Sequence, residues 1–258
     1  MPTVEAGGAT VAFTVAGEGP GLVLVHGTGG DAATTWSTVG PALAESWTLV
    51  MPDLPGSGAT ADPGDPLDLA ALAEQVDAAA GAAGLRSYSV VGFSLGAAVA
   101  ATLAAAEPER VESLIMLAGP IEGSSARVHV QFDLWRDLHA LDPDLFARLW
   151  MLTGFSSGFV AELPLQGLDT LATFPVAPGL ARQCELNKSV ELEPVLGAIR
   201  SPALFLGASE DWIAPPALVR EAAERVPGAT YEELECGHFA VLERPDEVVA
   251  RIEAFLRR

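Results

Sequence analysis

Positive charge is what this sequence has least of. Against 34 Asp and Glu it sets only 14 Lys and Arg, a formal net charge of −20 over 258 residues. Phosphate recognition needs clustered Lys and Arg, so nucleic acid is excluded as a partner, and an anionic membrane surface is equally disfavoured. The physical effects of such a surplus are solubility and some repulsion of anionic substrates. Cysteine is almost absent: Cys184 and Cys236 are the only two, and neither sits in a metal or redox spacing. That excludes a disulfide scaffold and leads us to expect a reduced, cytoplasmic chain. The four histidines, His26, His129, His139 and His238, show no pairing at metal-site spacing, so neither metal nor cofactor is expected. The opening residues Met1-Pro-Thr-Val-Glu5 lack the basic and apolar regions of a secretory signal. One apolar run, Ser89 to Ala106, approaches membrane length, but Gly92, Ser94 and Gly96 divide it. It reads as a strand, a turn and a buried helix, and no membrane association is expected.

Half of the residues are hydrophobic, enough for one large core. Leu22–Val25, Thr48–Met51, Ser89–Val91, Leu114–Leu117 and Ala203–Leu206 are short, continuous apolar runs, as expected of strands covered on both faces. Val11–Val15 alternates and reads as a further strand. Between the runs lie helical patterns. Leu69, Leu72 and Val76 share a face ahead of Gly84, a candidate C-cap, and Pro245 opens a helix whose Val248, Ile252 and Phe255 point inward. Strands alternating with helices predict a mostly parallel sheet with helices on both faces. The alternation lapses between about Glu122 and Ile199, where Asp142-Pro143 reads as an N-cap and first helical residue. Residues 123–199 are therefore expected to form a helical cap inserted into a core made of 1–122 and 200–258.

Gly92-Phe93-Ser94-Leu95-Gly96 follows one of these strands and opens a helix. A serine at so sharp a turn is held in a strained backbone conformation, with flanking glycines because side chains there would clash. Its hydroxyl would project above the sheet at a helix N-terminus, where developing negative charge is favoured. A serine is a weak nucleophile without a base oriented by a third group. Asp211 follows the strand Ala203–Leu206, and His238 follows the strand-like Thr230–Leu234. Both fall in loops at strand C-terminal ends, where such sheets bind ligands.

On these motifs the sequence resembles the α/β-hydrolase superfamily over essentially its whole length. His26-Gly27 resembles its oxyanion loop, Asp53-Leu-Pro-Gly-Ser-Gly58 its Asp-x-x-Gly-x-Gly loop, Gly207 to Pro215 its acid loop, and Gly237-His238 its base loop. The resemblance implies that Ser94 attacks, that His238 is the base and that Asp211 orients it, with backbone N–H groups of Thr28 and Leu95 as the oxyanion hole. Glu210 and Glu122 remain alternative acids. His26 reads as a structural histidine bonded to the loop backbone.

A rival motif overlaps this one. Gly27-Thr-Gly-Gly-Asp-Ala32 also fits the Gly-x-Gly-x-x-Ala dinucleotide fingerprint, with Asp53 near the place of a ribose-binding acid. That reading leaves Ser94, Asp211 and His238 as coincidences, whereas the hydrolase reading uses the loop as well. Serine at position 94 argues against epoxide hydrolase or dehalogenase chemistry, which needs a carboxylate there. Tyr88 and Tyr231 are the only tyrosines and lie outside the cap. Candidate pocket residues are Phe93, Trp135, Trp150, Phe155, Trp212 and Phe239; simple cap packing is the competing account of the cap aromatics. The expectation is hydrolysis of an ester, lactone or thioester of a small apolar or aromatic molecule, with a place in secondary metabolism, by a monomer or homodimer. A C–C bond hydrolase and a non-catalytic receptor retaining the three residues are the alternatives.

Overall fold

A computed structural model describes residues 1–62, 64–119, 122–164 and 175–258. Eight strands form one sheet: β1 (Thr3–Ala6), β2 (Ala9–Ala16), β3 (Gly21–Val25), β4 (Thr48–Pro52), β5 (Tyr88–Phe93), β6 (Val111–Leu117), β7 (Ala203–Ala208) and β8 (Thr230–Leu234). Their spatial order is β1-β2-β4-β3-β5-β6-β7-β8. The first two pairings in that order, β1 with β2 and β2 with β4, are antiparallel, and all others are parallel. The interior strands β5 and β7 are buried along their whole length, as continuous apolar runs require when both faces are covered.

The helices, in chain order among the described residues, are α1 (Ala32–Thr35), α2 (Gly40–Leu43), α3 (Leu69–Ala82), α4 (Leu95–Ala106), α5 (Ala126–Leu141), α6 (Pro143–Gly154), α7 (Ser157–Glu162), α8 (Leu180–Lys188), α9 (Glu193–Leu196), α10 (Pro216–Glu224), α11 (Ala240–Glu243) and α12 (Pro245–Leu256). One face of the sheet is packed by α3, α4 and α10 through residues such as Val76, Val99 and Val219. The other is packed by Leu43 of α2 and by Val248, Ile252 and Phe255 of α12.

The chain leaves β3 toward β4 on one side, then crosses to β5 on the other. The carboxyl ends of β3 and β5 thus flank a topological switch point, where open α/β sheets bind ligands. Above it lie α5, α6 and α8, which share a smaller cluster of their own: Val128, Phe132, Trp135, Phe146, Leu180 and Cys184, joined by Ile213 from the loop after β7. Asp142 caps α6, its carboxylate accepting from Asp144 N and Leu145 N at 3.0 and 3.1 Å, with Pro143 in the first turn. Of the stretch expected to form a cap, residues 165–174 lie outside the described residues. Its last part, beyond α8, does not lie over the sheet edge: Val190, Leu192, Leu196 and Ile199 are buried in the main core. The chain therefore rejoins the core's packing well before position 200.

Candidate active site

Ser94 stands between β5 and α4 with φ 54° and ψ −122°, a left-handed conformation costing an L-residue about 1–3 kcal/mol. The surroundings impose it. A Cβ at Gly92 would collide with the Gly96 carbonyl oxygen, and one at Gly96 with that of Val25; only glycines let strand, turn and helix approach so closely. Ser94 N–H is fixed to Leu117 O at 2.9 Å.

Three side chains that the sequence spreads over 144 residues form one hydrogen-bonded chain. Ser94 Oγ lies 3.0 Å from His238 Nε2, and His238 Nδ1 lies 2.8 Å from Asp211 Oδ2. The other Asp211 oxygen, Oδ1, accepts from Ile213 N and Ala214 N at 2.7 and 2.8 Å. Both His238 and Asp211 are buried, so the ion-pairing acid is anchored and shielded. Because the carboxylate only accepts, Nδ1 carries the proton and Nε2 is left to accept from the serine hydroxyl. Such an arrangement can remove a proton from Ser94 Oγ and stabilise the imidazolium that results.

The alternative acids stand elsewhere. Glu122 is exposed and accepts from Ser124 Oγ. Glu210 Oε2 accepts from Ser157 N and Ser157 Oγ at 3.1 and 2.8 Å.

The loop after β3 passes directly over the nucleophile: a Cβ at Gly27 would lie 2.9 Å from Ser94 Cβ. Among the described residues, the N–H groups of Thr28 and Leu95 donate to no protein acceptor. Gly29 follows with φ 74°. His26 is buried beneath this loop, its Nδ1 2.8 Å from Gly27 O while its Nε2 accepts from Leu54 N at 2.9 Å. Burial lowers its pKa, against the opposing pull of the Gly27 carbonyl and of Asp53 and Asp31. Asp53, the acid of the rival dinucleotide reading, has its two oxygens occupied by Ala32 N and Ala59 N at 2.9 and 3.0 Å. It fastens loops rather than facing a ligand.

Two buried polar residues of α8, a turn apart, were not singled out by the sequence. Gln183 Oε1 accepts from Gly29 N at 2.7 Å, while its Nε2 donates to Ser57 Oγ at 3.0 Å. Asn187 Nδ2 donates to Thr28 Oγ1 at 2.7 Å. Together they clamp the loop that carries the Thr28 N–H. The only available signal was two amide side chains at i, i+4, which on most helices mark a solvated face.

Ser94 and His238 open into a cleft of about 800 Å³ walled by Phe93, Trp135, Trp150, Phe155 and Phe239. Trp135 packs edge-on against Trp150 with ring centroids 5.9 Å apart, and Trp150 against Phe239 at 5.2 Å. Trp212 is a correction to the expected wall: it is 70 % exposed and does not border this cleft. Its neighbour Asp211 turns inward to His238, which sends the next side chain outward, and Ile213 takes the buried position instead. Of the arginines near the cleft, Arg136 pairs with Asp133, Asp137 and Glu185, and Arg182 with Asp62. None lines the aromatic cleft. Cys236, two residues before His238, is buried and its thiol is pushed up to about 12 by burial, so it is no thiolate at neutral pH. Among the described residues no group of three or more His, Cys, Asp or Glu could hold a metal ion, and no helix is long and apolar enough to cross a membrane.

A strained serine at the switch point of a mostly parallel, eight-stranded sheet defines the class, and the chain belongs to the α/β-hydrolase family: a family model described as the alpha/beta hydrolase fold matches residues 20–245. Among its relatives is a Xenorhabdus hominickii protein named pyrrolizixenacetamide deacetylase, 40 % identical over 260 aligned positions that cover 99 % of this chain and 98 % of that one. The enol-lactonase of Burkholderia xenovorans LB400 superposes with a TM-score of 0.88 at 25 % identity, covering 100 % of both chains. A thermophilic esterase from Thermogutta terrifontis superposes at 0.87 with 21 % identity, covering 100 % and 98 %, and shares the fold.

Proposed function

We propose that this protein is a serine hydrolase that cleaves an ester, lactone or thioester of a small apolar or aromatic substrate through an acyl-enzyme on Ser94. The observation that carries the reading is the Ser94–His238–Asp211 hydrogen-bonded chain opening onto an aromatic cleft. In this reaction Ser94 Oγ attacks the substrate carbonyl as His238 Nε2 takes its proton. The N–H groups of Thr28 and Leu95 hold the oxyanion, and the imidazolium then protonates the leaving atom. Water, activated by the same imidazole, releases the acid.

The name of the Xenorhabdus relative favours a second substrate bond, the acyl bond of an acetamide. The same groups serve it, since the imidazolium can protonate a leaving nitrogen as well as an oxygen.

A fluorophosphonate probe should label the wild-type protein stoichiometrically and leave Ser94→Ala unlabelled, with a phenyl ester, a lactone, a thioester and an aryl acetamide ranked by kcat/KM alongside. Turnover that survives Ser94→Ala would refute the covalent mechanism. Tight ligand binding with neither labelling nor turnover would favour the receptor reading.

A further inference from the structure

Ser94 borders two cavities, and only one of them is accounted for by the aromatic cleft. The second and smaller one is walled by Gly119, Val128, Phe132, Ile213, Ala214 and Leu218. The partition between the two is an edge-to-face pair from α5, with Phe132 on the smaller side and Trp135 on the larger, their centroids 5.2 Å apart. His238 lines the aromatic cleft and does not line the smaller cavity.

This asymmetry decides which half of a substrate goes where. When the tetrahedral intermediate collapses, the imidazolium must reach the leaving atom, so the leaving group lies on the side His238 faces. The acyl chain, bonded to the same carbon, is directed to the other side. Resting on the reading that Ser94 is acylated, we propose that the smaller cavity is the acyl subsite. It admits a short acyl group, with Phe132 and Ile213 setting its length.

Phe132 and Ile213 are buried at 6 % and 8 % exposure and close the cavity inward. Asn187 Nδ2 donates to Thr28 Oγ1 and to Gln183 O, and Arg127 Nη1 donates to Ile213 O at 3.2 Å. Glu122 and Arg127 both line the same cavity, so its border carries charge of both signs.

The test is a series of p-nitrophenyl esters from acetate to octanoate, run on the wild type, Phe132→Ala and Met151→Ala. Met151 borders only the aromatic cleft. The wild type should lose about tenfold or more in kcat/KM between the short and the long acids, since a methylene that does not fit is worth roughly that much. Phe132→Ala should move the optimum to longer acids. Met151→Ala should leave the chain-length profile in place while changing the preference between phenyl and naphthyl acetates. A chain-length optimum moved by Met151→Ala and not by Phe132→Ala would overturn the assignment. Should Phe132→Ala fail to fold, the crystal structure of wild-type enzyme inactivated by a p-nitrophenyl alkylphosphonate decides. An alkyl tail between Phe132 and Ile213 supports the subsite, and a tail against Trp150 overturns it. Ester turnover that is absent or independent of Ser94 overturns instead the parent reading, and the subsite with it.

Discussion

Ser94 and His26 are each held by a single fixed geometry, and each shows what one residue can report. The backbone strain at Ser94 was legible because it leaves a compositional mark, glycines two residues away on both sides of the serine, between a buried strand and a buried helix. Trp212 was not legible in the same way. Its neighbours Asp211 and Ile213 both turn inward, and the direction of the side chain between them depends on loop dihedrals that adjacent identities do not encode. His26 makes a measurable prediction. It is wholly buried and its pKa lies below the 6.5 it has in the unfolded chain. Below about pH 6.5 the unfolded chain therefore takes up a proton that the folded one refuses. Stability complete above that pH is lost as pH falls toward the folded value, at up to about 1.4 kcal/mol per pH unit for one proton. Urea midpoints measured between about pH 7.5 and pH 5.5 should drop more steeply for the wild type than for His26→Gln. Parallel profiles would show that another group controls the acid side.

Elements announced themselves where their ends carry chemistry. Asp142-Pro143 fixed the start of α6 through two N–H groups bonded to one carboxylate, and Gly84, with φ 89°, follows the end of α3. Strand β1 had no comparable mark: four residues at the sheet edge, alternately exposed and half-buried, give too little pattern. The polar residues of α8 were concealed by distance, because Gln183 meets Gly29 across 154 positions and Asn187 meets Thr28 across 159. Their contribution can be measured. Gln183→Ala leaves the buried Gly29 N–H without its acceptor, a loss of about 1–3 kcal/mol. In a domain of this size that lowers Tm by about 2–4 °C per kcal/mol. On the proposed mechanism, in which the Thr28 N–H of the freed loop holds the oxyanion, kcat should fall while KM changes little. Calorimetry and steady-state kinetics on one aryl ester check both halves. A lowered Tm with kcat intact would make Gln183 a purely structural residue.

At the scale of the whole molecule the charge of −20 acts at a distance that contacts do not reach. Repulsion of this kind slows the approach of anions and is screened by salt, with a Debye length of about 10 Å at 0.1 M. For two matched esters differing by a carboxylate on the leaving group, kcat/KM of the anionic one should climb as ionic strength rises, while that of the neutral one stays flat. Equal salt dependence for the pair would place the acidic surplus away from the approach to Ser94. The mostly parallel sheet follows from the alternation of apolar runs with helical patterns; its strand order, and with it the switch point, does not. Nor does the division of the cleft into two chambers, because it depends on how α5 lies across the sheet.

The segment from Gly154 to Ser157 and the loop bearing His238 are fastened to one another at several points. Phe239 N donates to Gly154 O at 2.8 Å, Glu243 Oε2 accepts from both Ser156 N and Gly237 N at 3.0 Å, and Glu210 holds Ser157. A Cβ at Gly154 would run into the Phe239 ring. The helices over the sheet are thus not a detachable module. A chimera that borrows another protein's helices to change selectivity has its seam inside this fastening, and a donor lacking the small residue at 154 or the hydroxyl at 156 would shift the imidazole along with the roof. Recombination within the family is constrained here by the position of His238, even at residues that never border the cleft.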